Sequence, residues 1–186
     1  MNRRLLLSSA LILSLLNVTR SVAGTEVAVT PEVSPPGDIP DSQVFIVYKS
    51  PAGFSFKVPE GWARKDAGDT ISFQGKYDVV AATIVPVTQP LDMTYVKQTL
   101  VANIQKGHAV TIGKISTVKL PGGDAVKVAY SENSEPNAVT SKQIRMESER
   151  FYFFKDGKLV SLYLSAPLGS DNVDQWNLMS ASFRWN

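Results

Sequence analysis

The run Val79-Val80-Ala81-Ala82-Thr83-Ile84-Val85 constrains this chain more than any other stretch. Six of its seven residues are apolar and five are β-branched. Branching at Cβ favours a pleated backbone over a helix. A strand with one face in water alternates apolar and polar residues, and this run does not alternate. Strands that read this way are covered on both faces. The expectation is therefore a sheet with a packed layer on each side.

The flanking sequence supplies the rest of such a sheet. Val44 to Tyr48 is β-branched and aromatic. Gly53 to Val58 alternates, with Phe54, Phe56 and Val58 on one face, and Pro59 ends it because proline cannot donate to a ladder. Gly61 permits a turn, after which Trp62 can fold over the sheet end. Thr70 to Phe73 is a short strand. Val110 to Leu120 and Ala125 to Tyr130 form a hairpin across Pro121-Gly122-Gly123. Glu132 to Ser141 is polar and reads as a loop. Lys142 to Phe154 is a long strand with Ile144, Met146, Tyr152 and Phe154 on one parity and Arg145, Glu147 and Glu149 on the other. Asp156-Gly157 turns it into Leu159 to Ala166.

Two segments carry a helical period instead. Asp92 can cap a helix to about Lys106, with Gly107 as its stop and Met93, Val96, Leu100 and Ile104 as its apolar stripe. Asp171 can cap a second helix containing Val173, Trp176 and Met179. Ser182 to Trp185 is apolar enough to pack as a final segment. Seven or eight mainly antiparallel strands and two helices make an α+β fold, with the helices expected on opposite faces of the sheet.

The chain has no cysteine, so its stability must come from its core. Met1 to Arg4 is basic, Leu5 to Leu16 is apolar, and Ser21-Val22-Ala23 places small residues before Gly24. That is the pattern of a cleavable signal peptide over residues 1–23. Its apolar run is shorter than the roughly 20 residues a bilayer span needs. Arg3-Arg4 offers a twin-arginine alternative, but the short n-region and hydrophobic run favour the general secretory route. Removing Arg3, Arg4 and Arg20 from the 19 basic residues leaves 16 against 17 acids. A nearly neutral domain has no electrostatic reason to bind nucleic acid or anionic lipid. Residues 24–42, with three prolines in Pro35-Pro36-Gly37-Asp38-Ile39-Pro40, read as an extended, flexible, poorly packed linker. Residues 43–186 form the single domain.

Gly53-Phe54-Ser55-Phe56-Lys57-Val58-Pro59-Glu60-Gly61-Trp62 resembles the early signature of PsbP-like proteins, an alternating strand followed by Pro-x-Gly-Trp. The apolar strand Val79 to Val85, the hairpin with Ala125 to Tyr130, and the ending Trp176 to Phe183 follow in that family's order. The resemblance spans about residues 44–186. It implies an α/β/α sandwich around a mainly antiparallel sheet with helices on both faces. It implies no agreed chemistry. Photosynthetic members are extrinsic proteins that help photosystem II hold calcium and chloride, and exported bacterial relatives include the DcrB type. A nuclear-import factor that binds the GTPase Ran shares the fold. The bacterial-style signal, and the lack of a cysteine for lipid anchoring, count against a photosystem role here.

No catalytic, cofactor-binding or metal-ligating set emerges from the residues. His108 is the only histidine and sits just past a helix end, a favourable place without any function. Asp66, Asp69 and Asp78 are hard oxygen ligands on early loops, which suits calcium, but their spacing matches no calcium loop. Glu147 and Glu149 could do acid–base work. On an alternating strand they more simply form a solvent face, with Arg145 as a counter-charge. Trp62, Trp176 and Trp185 read as packing residues. The expectation is a non-enzymatic, exported, periplasmic or secreted accessory protein that binds an envelope partner. The alternatives are a small-ligand or calcium-binding module, calcium being suggested by the family resemblance alone, and a photosystem II extrinsic-type protein.

Overall fold

The computed structural model describes residues 26–89 and 91–186; the expected signal peptide, residues 1–23, lies outside them. Ten strands form two antiparallel sheets. The smaller has the order β1-β2-β10, from β1 (Phe45–Ser50), β2 (Phe54–Pro59) and β10 (Arg184–Trp185). The larger has the order β3-β4-β5-β9-β8-β7-β6. Its strands are β3 (Ala63–Ala67), β4 (Thr70–Gln74), β5 (Val79–Pro86), β6 (Thr111–Leu120), β7 (Gly123–Asn133), β8 (Arg145–Lys155) and β9 (Lys158–Pro167). The hairpins fall where turn chemistry places them. Asp156 and Gly157 both have positive φ between β8 and β9, as a two-residue turn requires.

Alternation assigns the two faces of the large sheet. On one lie Val80, Ala82, Phe151, Phe153, Val160, Leu162 and Leu164. They pack against Phe54, Phe56 and Val58 of β2 and against Trp176, Met179 and Phe183. Phe183 stacks on Phe153 at 3.8 Å between ring centroids. On the other face lie Val126, Val128, Tyr130, Tyr152 and Leu159. These are covered by Val96, Leu100, Val101 and Ile104 of a helical segment, α1, built from α-helical Met93–Tyr95, π-helical Val96–Val101 and α-helical Ala102–Ile104.

Asp92 caps α1 as its sequence predicts, accepting a hydrogen bond from the Tyr95 amide at 2.7 Å. The wider π turn then brings Val96 and Val101 to the same side. Both are buried, whereas Met93, expected in the stripe, is exposed.

The structure is largely sheet, and helix does not make a full layer on either face. One face of the large sheet is covered by the small sheet together with Trp176 and Met179. The last helix, α2 (Val173–Ala181), sits against β2 of that small sheet. β2 is enclosed on both sides, and even Ser55 there is buried; so is β9, with Leu159 and Ser165 buried on one face and Val160, Leu162 and Leu164 on the other. In β5 only Val80 and Ala82 are buried; Val79, Ala81 and Thr83 on the other side are half-buried and Val85 is exposed. Its apolar run therefore borders an opening.

Residues 26–42 also depart from expectation. They lie against the domain and are tied to it at several points. Ile39 is 4 % exposed and belongs to the main core. Its amide donates to Asn172 Oδ1 at 2.7 Å, and Asn172 Nδ2 donates to the Gly37 carbonyl. Further back, Asn133 accepts from the Val29 amide and donates to the Val27 carbonyl. Proline-rich composition disfavours helix and ladder but leaves hydrogen bonds to side chains open. Asn172, not Asp171, is the cap residue of α2, and its amide serves this strap instead of the helix.

Candidate functional site

The half-open side of β5 belongs to a concave polar surface. From β5 toward β7 this face carries Val79 and Thr83, then Ser161, Tyr163 and Ser165, then Ser148 and Arg150, then Tyr130 and Glu132. α1 covers only the end nearest Val126, Val128 and Leu159. Beyond it lies a cleft of about 560 Å³, walled by Tyr163, Ser165, Arg150 and Glu132 from the sheet and by Lys76, Tyr77, His108 and Glu135 from the loops. A second cavity, of about 260 Å³, opens between α1 and the sheet. Arg150 lines both.

Hydroxyl groups organise this face. Tyr163 donates to Glu132 Oε1 at 3.1 Å, and Ser148 Oγ lies 3.2 Å from the same oxygen and 3.0 Å from Ser165 Oγ. Burial pushes the phenols of Tyr130, Tyr152 and Tyr163 above their ordinary range, so all three remain protonated donors. Arg150 Nε donates to Tyr130 Oη at 3.0 Å, and its guanidinium lies over the Tyr163 ring at 4.5 Å. Such a network fixes side-chain positions and presents donors to an incoming group.

The residues singled out from sequence fall elsewhere or in other roles. His108 forms one wall of the larger cleft. Its ring bridges Glu26 at 2.7 Å and Glu135 at 3.2 Å. Its pKa is raised, first by the hydrogen bond to Glu26. Asp66, Asp69 and Asp78 are not brought together. Asp66 pairs with Arg64 at 3.0 Å, Asp69 sits in the turn between β3 and β4, and buried Asp78 accepts from Asn172. Among the described residues no group of three or more His, Asp or Glu side chains is placed to hold a metal ion.

Arg145 is not the exposed counter-charge expected on β8. It is buried, and donates to the Ala109 carbonyl, Asn133, Thr111 and Ser131. Glu149 pairs with Lys127 instead, and Glu147 accepts from the Gly169 amide. Both glutamates lie on the opposite face from Arg150. Trp176 is a core residue, Trp62 packs against the core, and Trp185 meets Phe183 edge to face.

Arg150 and Glu132 complete this face without a strong mark in the sequence. Glu132 opens a polar run that reads as a loop, whereas β7 continues three residues past the apolar stretch and includes it. Arg150 does carry a signal. It shares the parity of Met146 and Tyr152, so a charge and Ser148 interrupt an otherwise apolar face.

Two antiparallel sheets in this order define a PsbP-like fold. Among solved structures, cyanobacterial PsbP from Synechocystis sp. PCC 6803 superposes with a TM-score of 0.53 at 15% identity, covering 82% of this chain and 99% of that one. The Ran-binding protein Mog1p of Saccharomyces cerevisiae gives 0.51 at 10% identity, over 77% and 96%. A Bacteroides thetaiotaomicron protein gives 0.53 at 14% identity over 75% of this chain, which spans about half of that structure's length, 48%. At these identities the likeness establishes the fold alone. No family model matches the chain, and no curated protein matches it.

Proposed function

We propose that this protein is an exported, non-enzymatic accessory domain that binds a partner of the cell envelope through the half-open face of its large sheet. The observation that carries the reading is the half-open side of β5. There Val79, Ala81 and Thr83 are only half-buried and Val85 is exposed, beside a fixed set of hydroxyls and one arginine. A surface both apolar and pre-organised is what binding rewards. The fold is compatible with such a role: Mog1p, which shares it, is a Ran-binding protein. Export rests on the signal-peptide pattern of residues 1–23. No helix among the described residues is long and apolar enough to cross a membrane.

The test is affinity capture from envelope extract with residues 24–186, comparing the wild type with a Gln74→Arg, Lys76→Glu double variant. Both residues are exposed on the rim of the larger cleft. A partner retained by the wild type and lost by the variant supports the reading. No specific partner, or equal capture by the variant, overturns it; turnover of a substrate by the purified protein overturns its non-enzymatic part.

A further inference from the structure

The two arginines of β8 that face inward are satisfied very differently. Arg145 spends both terminal nitrogens on four neutral acceptors within the chain. Arg150 donates well only through Nε, to Tyr130; its Nη1 reaches Ser161 Oγ at a long 3.4 Å, and the other partner beside it is the neutral hydroxyl of Tyr152. No carboxylate among the described residues lies within ion-pair distance of it. Cations withdrawn from bulk water are ordinarily paired. The end of the guanidinium that recognises carboxylates two-pronged is thus left available, with Tyr163 stacked on its plane and Tyr130 fixing its stem side.

The smaller cavity that Arg150 enters has a matching character. Val85, Leu100, Ile104 and Leu159 supply apolar walls, and Arg150 is its one charged lining residue. Its volume of about 260 Å³ accommodates roughly nine non-hydrogen atoms at the liquid-water share of about 30 Å³ each, so the eight carbons and two oxygens of an eight-carbon carboxylate fill it to its open mouth.

We propose that this cavity binds a small amphipathic monocarboxylate, its carboxylate held by the Arg150 fork beside Ser161 and its apolar body lying between α1 and the sheet. This names a ligand class for the face already read as a binding surface, and rests on that reading. The walls of Val85, Leu100, Ile104 and Leu159 favour a single charge on an apolar body over a fully polar dianion such as phosphate, which would set its oxygens against apolar surface.

Octanoate is the probe, titrated into residues 24–186 by calorimetry and by amide chemical shifts, with octanol, octylamine and inorganic phosphate alongside. Saturable octanoate binding is expected, with octanol weaker by about tenfold or more, as loss of a charge-assisted hydrogen bond implies. Octylamine and phosphate are expected not to bind. Arg150→Lys should weaken octanoate by about tenfold, because an ammonium cannot reproduce the planar fork. Asn103→Trp, at an exposed position on the cavity mouth, should block octanoate while leaving the fold intact, and keeps the test decisive if Arg150→Lys does not fold. Equal affinity for octanol, unchanged affinity in either folded variant, phosphate binding at the same residues, or no saturable binding to the wild type overturns the proposal. Rim-dependent partner capture without octanoate binding removes this inference alone. Octanoate binding without capture removes the partner reading and leaves the site.

Discussion

Replacing Ile39 by alanine removes from the main core a side chain that is 4 % exposed and belongs to a segment whose composition reads as a tether. Ile→Ala in a core costs about 2–5 kcal/mol. The strap lies at the core margin and can settle into part of the gap, so the lower end applies, about 2–3 kcal/mol. For a domain of this size that lowers Tm by roughly 4–12 °C. Val33→Ala is the matched control: Val33 lies in the same segment but is 95 % exposed, and such changes stay within about 0.5 kcal/mol. Asn172→Ala gives an independent reading, because it strands the buried Ile39 amide, at about 1–3 kcal/mol. The assay is thermal and urea unfolding of residues 24–186, followed by circular dichroism and tryptophan fluorescence. If Ile39→Ala melts with Val33→Ala, the segment contributes nothing and the strap is wrong.

Three further outcomes follow from the same geometry. Glu26 is held below its ordinary pKa of 4.5, first by the Gln143 hydrogen bond and then by His108, and His108 is held above 6.5, first by its hydrogen bond to Glu26. The lowered acid contributes above pH 4.5 and fades as pH falls, while the raised histidine contributes below pH 6.5 and fades as pH rises. Hydrogen-exchange protection of the Val29 amide, which donates to Asn133 beside Glu26, should therefore peak between those values, and a flat profile would contradict a role for the Glu26–His108 contact in holding the strap. Asp78 is pushed up to about 6, chiefly by burial and further by Asp38, against the Asn172 hydrogen bond. Its folded pKa exceeds its unfolded one, so stability is lost as pH rises from 3.8 through about 6. Asp78→Asn should then raise stability at pH 8 by about 1 kcal/mol after solvent screening, and not at pH 4, in paired melts. Gly122→Ala should destabilise by about 1–3 kcal/mol in urea, because an added Cβ would stand 2.1 Å from the Phe183 carbonyl oxygen.

Most strands were legible because they carry a period or a turn. Phe54, Phe56 and Val58 alternate and are buried together, and Pro121-Gly122-Gly123 closes the hairpin it predicts. β3 was not legible: Ala63-Arg64-Lys65-Asp66-Ala67 is exposed throughout, and pairing with β4, with Arg64 over the Tyr48 ring, makes it a strand. The side of β5 that stays open could not be read, since an apolar run says that a face wants cover and not whether the chain supplies it. The role of Arg145 depends on Asn133, Thr111 and Ser131, which only the sheet register brings to it. The strap was hidden for a related reason, because Asn172 and Asn133 bond it across more than a hundred residues.

Site-directed photo-crosslinking tests the placement of the binding surface most directly. A photoreactive residue at Lys76, on the cleft rim, is compared in the intact envelope with one at Asp124, exposed at the end of β7 farthest from Glu132. A discrete adduct from position 76 and none from position 124 is the expected result. Adducts from position 124 alone, or identical adducts from both, would contradict a binding face built on the open side of β5.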